Sequence, residues 1–109
     1  MVYKNYASCR SEKIAKAYKK RLEKNNFPLS CVYLFGSYTS GRAREHSDID
    51  LAVVSKSHKK YWDIITLLNA ATLDVDVRIE PHYFKASDFN KNAGALADEV
   101  LRTGIKIMG

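Results

Sequence analysis

Long hydrophobic runs are missing from this sequence, and so is any cysteine pattern. No apolar stretch among its 109 residues approaches the roughly 20 needed to cross a bilayer. The opening Met1-Val2-Tyr3-Lys4-Asn5-Tyr6 has no signal-peptide core. No membrane span is expected, and a cytoplasmic protein is the default. The two cysteines, Cys9 and Cys31, lack metal-ligand spacing and are too few for a disulfide framework, which leaves two reduced thiols, Cys31 packed near a strand. Only two prolines occur, Pro28 and Pro81, and both read as places where an element stops. Repeats, low-complexity segments, linkers and alternating basic and aromatic residues are all absent. What remains is 46% hydrophobic and 28% charged, a globular rather than a disordered balance. The length suits one compact domain over residues 1–109, with one core.

The net charge of +6 is lopsided. Residues 1–30 carry eight Lys or Arg against Glu12 and Glu23, and the other 79 residues hold ten charges of each sign. The excess lies on a segment predicted to be helical from Ser11 to Asn25, where Ile14, Tyr18 and Leu22 recur at i, i+4, i+8 beside Ala15 and Ala17 while lysines take the other face. Asn25-Asn26 and Pro28 end it. A basic helix face is a solvated surface or a docking surface for an acidic protein or a nucleic acid backbone.

The short run Cys31 to Phe35 reads as a first strand, and Asp48 to Ser55 as a second that becomes apolar on both faces at Leu51-Ala52-Val53-Val54, as a strand in a covered sheet does. Residues 58–70 read as a helix burying Trp62, Ile64, Ile65, Leu67 and Leu68. From Ala71 to Ile79, Leu73, Val75, Val77 and Ile79 alternate with Asp74, Asp76, Arg78 and Glu80, which predicts a third strand with one charged face, ended by Pro81. A turn and a short helical stretch near Ser87-Asp88-Phe89 follow. A last helix over Ala93 to Thr103 turns Leu96, Ala97 and Val100 inward and closes at Gly104, and Ile105 to Met108 adds a short strand. The expected fold class is α/β (α+β), a small mixed sheet of three to four strands flanked by helices.

Chemistry concentrates between Leu34 and Val53. Residues two apart on a strand share a face, so Asp48 and Asp50 project together. Two carboxylates roughly 4 Å apart repel by about 4 kcal/mol at an effective dielectric near 20, so a cation between them is the natural reason to keep them there. Oxygen ligands suit Mg²⁺ or Mn²⁺ better than zinc. Gly36 allows close backbone approach to a ligand, and Ser37 offers a hydroxyl and an N–H to a phosphate oxygen. If the third strand neighbours the second, Asp76 or Asp74 supplies a third carboxylate. His46, in the connection, stands near the pair as an outer group or as nothing at all.

Gly36-Ser37, ten intervening residues and Asp48-Ile49-Asp50-Leu51, between hydrophobic strands, resemble the signature of the nucleotidyltransferase superfamily of DNA polymerase beta, and within it the small minimal nucleotidyltransferases. Such relatives run Gly-Ser, a variable residue, Ala-Arg-Gly, then Ser-Asp-hydrophobic-Asp-Leu. Gly36, Ser37, Gly41, Ser47, Asp48, Ile49, Asp50 and Leu51 fit without a gap, whereas Thr39-Ser40 stands where many relatives have Ala-Arg. The missing arginine would help hold a triphosphate, and Arg42 or Arg44 from the same loop is its replacement. The resemblance implies a nucleotidyltransferase fold with Asp48, Asp50 and Asp76, favoured over Asp74, as catalytic residues and ligands of two Mg²⁺ ions, Mn²⁺ being possible, and with Gly36, Ser37 and Arg42 as the nucleotide site. It implies transfer of AMP from ATP to a hydroxyl. It also implies, because so short a chain has no room for an acceptor domain, a separate partner: such proteins resemble the antitoxin half of toxin–antitoxin pairs whose toxin is a helical HEPN-domain ribonuclease. A catalytically silent antitoxin and a basic nucleic-acid-binding module are the alternatives.

Overall fold

A computed structural model describes residues 6–36, 48–90 and 92–108. Helix α1 (Tyr6–Lys24) leads into strand β1 (Leu29–Phe35), followed by β2 (Ile49–Ser55), α2 (Tyr61–Val75), β3 (Ile79–Lys85), a single 3₁₀ turn (Ala86–Asp88), α3 (Ala95–Thr103) and the two-residue β4 (Ile105–Lys106). The sheet order is β3-β2-β1-β4, with β2 antiparallel to β1, parallel to β3, and β4 antiparallel to β1. This is the mixed α/β sheet flanked by helices that the sequence predicts.

Side-chain alternation gives the sheet two unlike faces. Val32 and Leu34 of β1 and Ile49, Leu51 and Val53 of β2 turn to one side and join Ala15, Tyr18 and Leu22 of α1 and Ile64, Leu68 and Ala71 of α2 in the main core. Tyr18 is fully buried there, and its hydroxyl donates to the Leu68 carbonyl at 2.8 Å, which ties α1 to α2 and leaves no orphaned polar atom on the ring. Burial pushes the Tyr18 phenol well above its usual range. The cluster on the other face is smaller among the described residues: Phe35, Ala52 and Val100 pack with Tyr33, Phe84 and Phe89.

The middle of the chain departs from its predicted layout. The helix expected to end at residue 70 runs on to Val75, and the strand expected over Ala71–Ile79 lies instead at Ile79–Lys85. Leu73, Val75, Val77 and Ile79 alternate as a strand would, but Ile64, Leu68, Ala71, Thr72 and Val75 also recur at helical spacing, and it is this second set that is buried or partly buried. Leu73 and Val77 are left 75% and 74% exposed. Trp62, expected in the core, is 75% exposed because it lies two residues, about 200°, from the buried line through Ile64. Pro81 does not end β3 but sits inside it, which is tolerable because β3 is, among the described residues, an edge strand whose outer side needs no N–H donor. At the C-terminal end Ala97 and Val100 turn inward as expected, whereas Leu96 stays partly exposed.

Candidate functional site

Three strand ends meet on the less covered face. β1 finishes at Phe35, opposite Asp50 near the start of antiparallel β2, and the parallel pairing of β2 with β3 puts Asp50 beside Glu80 and Ala52 beside His82. Paired positions share a face, so Asp50, Glu80 and His82 converge. His82 Nε2 lies 3.2 Å from Asp50 Oδ1 and 3.8 Å from Glu80 Oε1. One ligand atom from each of the three falls within 4.8 Å of the others, and among the described residues this is the group able to surround a metal ion. Asp48 is exposed just ahead of β2, two residues before Asp50.

Gly36 closes the site from the β1 side. Its φ of +83° lies in the left-handed region, and a Cβ built there would collide with Oδ2 of Asp50. Glycine is required twice over, by backbone conformation and by the approach of the carboxylate. The Phe35 ring meets the His82 imidazole edge-on, with centroids 5.2 Å apart. The Asp50 and His82 side chains are about one quarter exposed. The hydrogen bond with Asp50, together with the charges of Asp50 and Glu80, holds the His82 imidazole above its ordinary pKa of 6.5 against the opposing effect of burial.

The structure does not bring Asp76 to this group. Asp76 is the C-cap of α2, outside β3, and its carboxylate accepts the Arg78 backbone N–H at 2.9 Å and the guanidinium at 3.1 and 2.9 Å. Those hydrogen bonds from Arg78 hold its pKa below the usual carboxylate value. Asp74, the fallback, is paired with Arg21 of α1 at 2.9 Å. The carboxylate beside Asp50 is Glu80. The sequence puts Glu80 on the charged face of a third strand but favours Asp76 as the site carboxylate, because taking Pro81 as a stop ends that strand before the alternation Glu80, His82, Phe84 can place all three on one face. Ser37, Arg42, Arg44 and His46 lie outside the described residues.

Hard carboxylate oxygens at this spacing, with a glycine holding the neighbouring backbone clear, fit a divalent cation. Residues 12–109 match the family described as Polymerase beta, Nucleotidyltransferase. The chain belongs to that nucleotidyltransferase family. It is 31% identical over 93 residues to the protein adenylyltransferase MntA of Shewanella oneidensis, a match that covers 82% of this chain and 61% of that protein. The chain thus spans about three-fifths of the length of that relative. A solved structure from Sulfolobus solfataricus superimposes with a TM-score of 0.60 at 22% identity, covering 81% of this chain and 82% of the other, and shares the nucleotidyltransferase fold. The solved complex of a tri-AMPylated Shewanella oneidensis HEPN toxin with MNT antitoxin contains a chain that matches with a TM-score of 0.52 and 25% identity, over 94% of this chain and 72% of its own length.

Proposed function

We propose that this nucleotidyltransferase moves AMP from ATP onto a hydroxyl of a HEPN-type partner protein and thereby acts as an antitoxin, in a cytoplasmic setting. The observation that carries the reading is the convergence of Gly36, Asp50, Glu80 and His82 at one end of the sheet, directly beside the Gly-Ser and Asp-x-Asp elements of the motif. The likeness to the MntA adenylyltransferase and to a chain of the AMPylated toxin complex supports the acceptor class.

In this reading Asp48, Asp50 and Glu80 would hold divalent cations, Mg²⁺ or Mn²⁺. When bound, they supply charge neutralisation to the triphosphate and acidify the acceptor hydroxyl. Glu80 takes the role expected of Asp76 and accepts the proton as the hydroxyl oxygen attacks the α-phosphorus and pyrophosphate leaves. Gly36 lets the Asp50 carboxylate approach the backbone, while Ser37 and Arg42 are assigned to the outgoing phosphates from the motif.

The test is to co-express the chain with the product of its neighbouring gene, add Mg²⁺ and α-labelled ATP, and follow label on protein by gel and mass spectrometry. Label on the partner that vanishes in Asp48→Asn and in Asp50→Asn is the expected result, and full transfer by both variants would sink the assignment. A binding-only antitoxin is the second reading, motivated by Ser40 in place of a phosphate-holding arginine. A stable complex with bound nucleotide and no label would favour it.

A further inference from the structure

His82 puts a nitrogen donor where a magnesium site has little use for one. Its Nε2, the outer ring nitrogen, faces two carboxylates, 3.2 Å from Asp50 Oδ1 and 3.8 Å from Glu80 Oε1. The ring is not free to turn away: it is three-quarters buried, and the edge of Phe35 packs against it at 5.2 Å and 64°. Two ligands in adjacent positions of an octahedral ion, with bonds of about 2.1 Å, stand about 3 Å apart. The separation of Nε2 from Asp50 Oδ1 matches that spacing. The register makes this a property of the backbone, since Glu80 and His82 are alternate residues of β3 opposite Asp50 and Ala52 of β2. Mg²⁺ prefers oxygen and keeps its waters, whereas an imidazole nitrogen adds affinity for first-row transition ions, least for Mn²⁺ and more for Fe²⁺ through Cu²⁺.

We propose that His82 Nε2 is a metal ligand in this chain, alongside Asp50 and Glu80, and that it makes the site select a first-row transition ion such as Mn²⁺ over Mg²⁺. The inference rests on the nucleotidyltransferase reading of the same site but is tested by metal binding itself. A histidine that only holds the Asp50 carboxylate in place would leave the cation bound through oxygen alone and would not change which ion is chosen.

The experiment titrates the full chain with Mn²⁺, following loss of the free-ion electron paramagnetic resonance signal, and competes the bound ion with Mg²⁺. Pulsed resonance on the bound Mn²⁺ then looks for coupling to a directly ligated imidazole nitrogen. The expected result is nitrogen coupling and tighter binding of Mn²⁺ than of Mg²⁺. His82→Ala should lose the coupling and most of the preference, and His82→Asp should regain binding with Mg²⁺ competing on nearly equal terms. Circular dichroism checks that each variant is folded, with His82→Gln as the substitute should the alanine variant fail. Bound Mn²⁺ without nitrogen coupling, or coupling that survives in every His82 variant and so comes from His46 or His58, overturns the inference and leaves the transferase reading standing. Absence of Mn²⁺ binding overturns the inference as well. If Asp50→Asn then also transfers AMP normally, the transferase reading falls with it.

Discussion

At Gly36 the demands of backbone and site coincide. Its left-handed φ and the Asp50 carboxylate against its missing Cβ mean that Gly36→Ala adds strain of about 1–2 kcal/mol and displaces the Asp50 oxygen in the same step. Thermal unfolding should register the first effect and a Mn²⁺ titration the second, with metal affinity falling further than stability does. Asp76 makes a contrasting prediction, because its carboxylate serves structure. Its pKa is depressed in the fold, so its contribution is present above the ordinary carboxylate value of 3.8 and is lost as pH falls through the lower folded value. Asp76→Asn should therefore cost about 1 kcal/mol at neutral pH, a cost that shrinks toward zero under acid, read from urea unfolding at a series of pH values. Transfer activity retained in this variant would agree with Glu80 as the third carboxylate, and its complete loss in a folded protein would return that role to Asp76.

Among the elements, α2 shows how two periodicities compete within one stretch. Its helical line of Ile64, Leu68, Ala71, Thr72 and Val75 packs on the sheet, whereas the apparent strand alternation through Leu73 and Val77 places those residues in solvent. Burial decides between them, because the longer line completes a core with α1 that the shorter strand could not. Leu68→Ala should cost about 2–5 kcal/mol by opening a cavity beneath Tyr18, while Trp62→Ala stays within about 0.5 kcal/mol, both measured by chemical denaturation. Tyr18→Phe, which removes only the hydroxyl bonded to the Leu68 carbonyl, should fall between them at about 1 kcal/mol. β3 was misplaced for a related reason. A proline inside a strand normally speaks against it, and only the place of β3 at the sheet edge makes Pro81 acceptable.

Over the whole molecule, stability and chemistry are divided between the two faces of one sheet. The face under α1 and α2 is an apolar core, and the opposite face carries converging carboxylates at one end. Substitutions of the carboxylates at that end should therefore spare the fold. Asp50→Asn is expected to unfold at the same temperature as the unmodified chain or higher when no metal is added. Mn²⁺ at a hundred times its dissociation constant should stabilise the unmodified chain by about 2.7 kcal/mol, an increment absent in Asp50→Asn. Equal metal-dependent stabilisation of both would place the cation elsewhere.

The sequence by itself determined the sheet-and-helix class, the basic amphipathic α1, and the pairing of Gly36 with an Asp-x-Asp strand, because each is written within a few residues or a single turn of helix. Asp48 and Asp50 were legible as candidates for the same reason: a strand period of two needs no partner to be recognised. Only the tertiary structure decided what faces Asp50 from β3. That contact spans thirty residues, and its register is set by how far α2 continues along the core before the chain turns back at Asp76 and Arg78. One residue of register exchanges the two faces of a strand. The parallel alignment of Ile49 with Ile79 puts Glu80 and His82 at the site, and leaves Asp74 and Asp76 to the arginines that hold the end of the helix.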